Sequence, residues 1–363
     1  MMILNESFMK LAIELAKKGI GKVNPNPLVG AVIVKDGKII GQGYHERYGG
    51  GHAEVNAFKS LNEDATGAIM YVTLEPCVHY GKTPPCADKI IENKISKVVI
   101  GMLDPNPLVS GKGIEKLKNA GIEVEVGILE EECRKINEVF TKYIKTKKPF
   151  VVMKTAMSLD GKISTKTGKS KWISSEEARL HVHTLRNKLS GIMVGINTVL
   201  KDNPELTCRI AEGNDPIKII VDSTLRIPME SKVLKKHDNQ TIIATTEKAD
   251  ITKVEKLIKN NVKVLIINEK NGRVDLKELM RKLGELNIDS ILLEGGSTLN
   301  YSALEENIVD KVMMYISPKI IGGETSKTPV GGNGIDKLNN AFKLENITTR
   351  NVGEDILVEG YIS

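Results

Sequence analysis

The chain has 363 residues, more than one hydrophobic core usually serves, so two domains are expected. Its 52 basic and 46 acidic residues nearly balance at a formal net charge of +6, and aromatics make up only 4%. With no long basic block and few rings for stacking, that balance argues against a nucleic-acid partner, and no apolar run approaches membrane-spanning length.

In chain order, residues 1–19 repeat apolar residues at helical spacing around Glu6 and Glu14, which reads as an amphipathic helix rather than a signal peptide. LVGAVIV and KIIGQG follow as a hairpin joined at Asp36-Gly37. A helix starts near His52, and the apolar run AIMYVTL (68–74) reads as a buried strand that Pro76 ends, a proline that can also open a helix. A helix after Pro84, the strand KVVIGM, a helix around 113–120, the strand IEVEVG and a helix from about Glu130 complete a three-layer unit with helices on both faces. KTKKPF, polar and basic with Pro149, marks the boundary near 145–150, dividing the chain into 1–146 and 147–363. Beyond it, FVVMKTAMS is a strand and 175–189 a helix; GIMVGI, IKIIVD, TIIATT, VKVLIIN and SILLEGG are buried strands of a second α/β domain. There is no internal repeat.

The chemistry concentrates in the first unit. His52-Ala53-Glu54, then Pro76-Cys77 and Cys86, supply one imidazole, two thiols and a separate carboxylate. Zinc held by one nitrogen and two sulfurs keeps a fourth position for water, whose pKa it lowers to about 7. Glu54 lies two residues from His52, off the same helix face, and is placed to move protons rather than to bind metal. The pattern is that of nucleobase deaminases. A structural site is the alternative, with His79 as fourth ligand, but it leaves Glu54 without a task. Eight residues separate the cysteines here, and the insert brings His79, Lys82 and Thr83, polar and cationic groups that suit an anionic small substrate. Cys133 and Cys208 lie outside the motif and read as ordinary thiols; four cysteines without a disulfide framework fit a reducing, cytoplasmic setting.

Taken together, NPNPLVGAV (24–32), HAEV (52–55), TLEPCVHYGKTPPC (73–86), DPNP (104–107), KTAMSLDGKIS (154–164), SKWIS (170–174), VGINTVLKDNPELTCR (194–209), VDSTLRIP (221–228), LEGGSTL (293–299) and PKIIGG (318–323) resemble the bifunctional riboflavin-biosynthesis family, a pyrimidine deaminase fused to a pyrimidine-ribosyl reductase. The resemblance covers nearly the whole chain. Asn56 and Gly51 depart from residues common in the family, His and Pro or Ala, without touching a ligand position. It implies a cytidine-deaminase-like three-layer domain followed by a dihydrofolate-reductase-like domain. It implies hydrolytic deamination of a phosphorylated diaminopyrimidine with one zinc, then NADPH-dependent reduction of the ribosyl group to ribityl. It also implies a homo-oligomer, dimer or tetramer.

Site residues carried over by the resemblance begin with substrate contacts at Asn26, His45, His79 and Lys82, with Asp104 and Asn106 as weaker candidates. An Asn can read a pyrimidine edge through its paired donor and acceptor, and Lys82 can meet a phosphate. Asn26 between two prolines also reads as a plain turn residue, and Lys82 as a solvated one. In the second domain, NADP contacts fall on Ala156, Trp172, Thr198, Asp202 and Ser223 and on the stretch Gly296, Ser297, Thr298, Leu299, Asn300, Tyr301 and Ser302. No G-x-G-x-x-G fingerprint is present, and the glycine turn after SILLEGG is weak by itself, although a helix start there favours phosphate. Substrate contacts fall on Ser170, Arg186, Leu206, Arg209 and Glu294, with Lys154 able to donate a proton as the ribose ring opens. Arg186 and Arg209 suit a bidentate phosphate clamp, and Trp172 an apolar wall beside the nicotinamide; surface charge and core packing are their plainer readings.

Two other classes compete. A nucleic-acid-editing deaminase shares the zinc core but needs neither residues 150–363 nor tolerates so few stacking aromatics. A zinc-stabilised binding protein predicts four protein ligands and indifference to loss of Glu54.

Overall fold

The computed structural model describes residues 2–78, 84–107, 109–235 and 240–363. It divides into two compact units, Met1–Lys147 and Lys148–Ser363. Among the described residues no helix is long and apolar enough to cross a membrane.

The first unit runs α1 (Met2–Lys17), β1 (Gly30–Lys35), β2 (Lys38–Tyr44), α2 (Ala53–Lys59), β3 (Ile69–Leu74), α3 (Cys86–Glu92), β4 (Lys97–Met102), α4 (Lys112–Asn119), β5 (Glu123–Val126), α5 (Glu130–Ile136) and α6 (Glu138–Thr146). The sheet order is β2-β1-β3-β4-β5. β1 pairs antiparallel with β2 and β3, and β3, β4 and β5 run parallel. Gly30 faces α1, where an added Cβ would sit 1.9 Å from the Ala12 carbonyl oxygen. Gly41 and Gly43, paired with Ile33 and Ala31, face α2 instead. Successive strand residues alternate faces, so α1 and α2 cover opposite sides and the unit has three layers.

Gly43 decides how closely α2, the helix that carries Glu54, approaches the sheet. A Cβ there would lie 2.3 Å from the Ala57 nitrogen and 2.6 Å from the Ala53 oxygen, both backbone atoms that cannot give way. Gly43→Ala is expected to push α2 outward, at about 1–3 kcal/mol, and to lower zinc retention. Thermal unfolding and metal content check it; wild-type values for both would refute the packing argument.

Two local expectations need correction. Pro76 ends β3 but opens no helix. Glu75 continues the sheet edge by donating its N–H to the Met102 carbonyl, and the Cys77 carbonyl accepts from the Ala87 N–H, so α3 begins at Cys86 behind Pro85. The helix from Glu130 is two helices, because Asn137 is claimed elsewhere. Its amide exchanges hydrogen bonds with the Leu28 backbone, accepting at 2.8 Å and donating at 2.9 Å, and the break falls there.

The second unit runs β6 (Phe150–Ser158), α7 (Glu176–Lys188), β7 (Gly191–Gly195), α8 (Ile196–Asp202), β8 (Ile217–Val221), β9 (Thr241–Thr245), α9 (Ile251–Lys259), β10 (Lys263–Ile266), β11 (Glu269–Lys270), β12 (Arg273–Val274), α10 (Leu276–Glu285), β13 (Ser290–Leu293), α11 (Ser297–Glu305), β14 (Lys311–Ser317), β15 (Leu344–Val352) and β16 (Asp355–Ile362). Its nine-stranded sheet has the order β10-β9-β8-β7-β13-β6-β14-β16-β15. Strands β10 to β14 are parallel, and β16 and β15 add an antiparallel edge. Neighbouring residues alternate between two cores, Met193 and Ile219 on one side, Ile192 and Ile220 on the other. Both faces are therefore covered, as a parallel sheet requires. The chain leaves β6, lays down β7 to β10, and returns to insert β13 between β7 and β6. Such a reversal opens a crevice at the carboxyl ends of the strands.

Candidate active sites

Three local devices bring the first unit's donors together. His52 is the extended residue just before α2, Cys86 is the first residue of α3, and Cys77 follows the end of β3. His52 Nδ1 lies 3.2 Å from Cys86 Sγ and 3.5 Å from Cys77 Sγ, and the three donor atoms all fall within 4.8 Å of one another. Tetrahedral zinc with N and S ligands separates adjacent donors by about 3.5 Å, close to both His52 separations, so the donor set suits the ion. Cys77 is held down as a thiolate, to about 4, by hydrogen bonds from Cys86 and His52, while sharing that proton raises Cys86. Metal binding would displace the proton from the pair.

Glu54 is 3% exposed on α2. Burial, reinforced by the charge of Cys77, pushes its carboxyl up to about 7, so it can hold or release a proton near neutrality. His45 is 3% exposed and its ring packs edge-on to His52 with centroids 5.7 Å apart. Its Nδ1 lies 3.0 Å from the Gly51 carbonyl oxygen, which only accepts, so Nδ1 carries the hydrogen. Nε2 therefore accepts from the Asn26 amide nitrogen at 3.1 Å. Burial also lowers the His45 pKa. Both ring nitrogens are thus engaged within the protein, and Nε2 holds the Asn26 side chain beside the expected substrate contact. His79 and Lys82 lie outside the described residues.

Glu75, within the string TLEPCVHYGKTPPC, has a part that the string does not reveal. It is 3% exposed and gathers backbone N–H groups from Asp104, Gly111, Gly113 and Ile114. The carboxylate ties the segment before α4 to the strand end that presents Cys77. Asp104 is buried and accepts from the Asn106 N–H at 2.8 Å, shaping the same turn. An acid directly at the end of an apolar strand, next to Pro76-Cys77, was the available signal.

In the second unit every expected site residue lines one cleft of about 1490 Å³ at the carboxyl ends of the strands. Lys154 and Ala156 come from β6, with Ser170 and Trp172 in the loop after it. Arg186 comes from α7, Thr198 and Asp202 from α8, Leu206 and Arg209 from the loop beyond. Ser223 follows β8, Glu294 follows β13, and Gly296 to Ser302 form the turn and start of α11.

Inside the cleft Glu294 is the hub. Arg186 grips it through Nε at 2.8 Å and Nη2 at 3.1 Å, and gives Nη1 to the Thr207 carbonyl at 2.9 Å. Lys154 Nζ lies 4.0 Å from the same carboxylate, and burial lowers the Lys154 pKa. Of the two arginines expected to clamp a phosphate, one is already tied within the protein and the other is open. Arg186 places three of its five N–H donors on Glu294 and Thr207, whereas the Arg209 side chain is 62% exposed, with a loose 3.6 Å contact to Glu205. Trp172 is 63% exposed, not core, and the Arg179 guanidinium stacks over it at 4.6 Å. The Asn300 and Tyr301 side chains turn to the protein, donating to the Pro329 and Gly334 carbonyls, and the Asn300 N–H is taken by the Gly296 carbonyl within the helix. Arg179, and Tyr315 under Lys154 at 5.7 Å, went unforeseen, since neither belongs to a recognisable string.

A profile of the cytidine and deoxycytidylate deaminase zinc-binding region matches residues 2–102, and one of the RibD C-terminal domain matches residues 149–358. The riboflavin biosynthesis protein RibD of Actinobacillus pleuropneumoniae is 51% identical over 97% of this chain and 94% of its own. That of Aquifex aeolicus is 47% identical over 98% of each. The chain belongs to the RibD family. Among solved structures, Acinetobacter baumannii RibD superposes with a TM-score of 0.90 at 35% identity over 100% of both chains. A diaminohydroxyphosphoribosylaminopyrimidine deaminase/5-amino-6-(5-phosphoribosylamino)uracil reductase from Thermotoga maritima does so at 0.87 with 42% identity, covering 100% of this chain and 99% of its own. As a RibD protein the chain is a riboflavin-biosynthesis enzyme that joins a zinc-binding deaminase to a reductase. The deaminase-like and dihydrofolate-reductase-like folds expected of its halves are those of the family.

Proposed function

We propose that residues 1–146 hydrolytically deaminate 2,5-diamino-6-(5-phosphoribosylamino)pyrimidin-4(3H)-one and that residues 147–363 reduce the ribosyl group of the resulting aminouracil to ribityl with NADPH. The carrying observation is the convergence of His52, Cys77 and Cys86 on one point with Glu54 buried beside them. Bound there, zinc supplies a Lewis acid that brings the pKa of water to about 7. Glu54 accepts one proton of the attacking water and passes it to the ring nitrogen, then takes the remaining proton from the newly attached hydroxyl and delivers it to the amino group as it leaves. The water oxygen ends as the new carbonyl and the nitrogen departs as ammonia. A carboxyl near 7 suits both directions of transfer. Asn26, fixed by His45, reads the pyrimidine edge.

In the second unit NADPH supplies the hydride. Lys154, held by Glu294, donates to the ribose ring oxygen as the ring opens at C1′, and Arg186 keeps Glu294 ionised and in place. Arg209 presents its fork to the 5′-phosphate and Ser170 adds a hydroxyl. The helix start at Gly296 and Ser297 receives the pyrophosphate, with Thr198, Asp202 and Ser223 along the dinucleotide and Trp172 beside the nicotinamide. The reading extends to a cytoplasmic homo-oligomer, dimer or tetramer, which sedimentation checks.

Product masses test the assignment. The purified protein should exchange the amino group for oxygen without NADPH and add two hydrogens only with it. A chelator that strips zinc should stop the first step and leave reduction of pre-deaminated substrate intact. If chelation halted both steps with the fold preserved, the division of labour between the units would be wrong.

A further inference from the structure

The second unit's cleft continues past the reacting groups to the end of β8. In the sheet β8 lies two strands from β13, which presents Glu294, and three from β6, which presents Lys154. At the usual strand spacing that end is about 10–15 Å from the ribosyl site. Two arginines line it, Arg226 and Arg273. Arg226 comes shortly after Ser223, and its Nη2 donates to Asn197 Oδ1 at 3.1 Å, beside Thr198. Arg273 opens β12 in the β11–β12 hairpin, and its Nη1 donates to Ser302 Oγ at 3.0 Å. The next residue of the hairpin, Val274, donates its N–H to Ser223 Oγ at 3.2 Å. The hairpin thus touches both ends of the segment set that is proposed to hold the dinucleotide, Ser223 and Ser302.

The charges at this end are unequal. Lys270 is paired with Glu306 at 3.3 Å. Glu305 also lines the cleft, but among the described residues neither Arg226 nor Arg273 is paired with a carboxylate. A site built for an unphosphorylated ribose offers an acid to the 2′-hydroxyl, whereas a 2′-phosphate calls for arginine. Each guanidinium here spends one of its five N–H donors on a side-chain oxygen and keeps the rest. Two such forks on exposed arms match the several oxygens of a phosphate dianion. Neither residue could be singled out from the chain, because 47 positions separate them and the hairpin that joins them to Ser302 has two-residue strands.

We propose that Arg273 and Arg226 bind the 2′-phosphate of NADPH and set the preference for it over NADH. This rests on the reading of the cleft as the dinucleotide site. Calorimetric titration of the full chain tests it with NADP+, NAD+, 2′,5′-ADP and 5′-AMP as probes, on wild type and on Arg273→Gln and Arg226→Gln. Each substitution should weaken NADP+ and 2′,5′-ADP by about 10–100-fold and leave NAD+ and 5′-AMP within about twofold. Arg273→Lys, which keeps the charge but loses the fork, should fall between. Equal losses for phosphorylated and unphosphorylated probes, or none, would overturn the arginine assignment alone. So would weakened binding of the ribosyl substrate with NADP+ unchanged. A folded wild type that bound neither dinucleotide would instead remove the reading of the cleft, and this proposal with it.

Discussion

Glu54→Gln is expected to lower ammonia release by about 10²–10⁴-fold or more, while the protein keeps its zinc and reduces pre-deaminated substrate at the wild-type rate. Glutamine preserves the volume of a side chain only 3% exposed, and the three metal donors are other residues, so the fold and the ion should survive. What is lost is the proton cycle. The buried carboxyl rests near 7 and can both accept and return a proton in neutral solution; an amide can do neither. Three readouts separate the possibilities: zinc per chain, ammonia from the diaminopyrimidine, and NADPH consumed on the uracil. Deamination at the normal rate would remove Glu54 from the mechanism. Joint loss of zinc and deamination would make it a structural support of the metal site instead.

Glu294→Ala should cost the second unit about 3–5 kcal/mol and abolish reduction while sparing deamination. The carboxylate faces Arg186 at 2.8 Å and Lys154 at 4.0 Å, and all three side chains are about 15% exposed. Deleting the single anion leaves two cations facing each other with little water to separate them. Burial disfavours the ionised acid, yet the neighbouring Arg186 and Lys154 hold the Glu294 pKa below its ordinary value. Urea unfolding measures the loss. The double replacement of Arg186 and Glu294 by leucine should cost less than the sum of the single changes, because it removes an uncompensated charge along with its partner. An unfolding midpoint equal to wild type for Glu294→Ala would show that solvent reaches the pair and that Lys154 is not positioned through it.

Legibility from sequence followed the range of the interactions. The metal donors were readable because the chemistry fixes the residue types and because His52 and Cys86 sit at helix starts, a local property. Buried parallel strands such as β4, β7 and β8 announced themselves as apolar runs. β15 did not: seven of its nine residues are exposed, so no apolar period marks it, and only pairing with β16 makes it a strand. Partnerships across the fold were hidden. Arg186 meets Glu294 at a separation of 108 residues, and Asn137 breaks a helix for Leu28 at a separation of 109. The site residues that the family strings supply to the second unit gather in one cleft, but which nitrogen of His45 carries hydrogen, and that Arg186 is already engaged, follow only from partners in space.

Trp172 has a practical consequence. It is the chain's only tryptophan, it stands 63% exposed in the second unit's cleft, and Arg179 lies against its face. All indole emission from the protein therefore originates at that one spot, and the metal-bearing unit contributes none. A nicotinamide ring arriving there should quench the signal, so occupancy of the reducing site can be followed in real time on unlabelled, full-length enzyme while it turns over at the other.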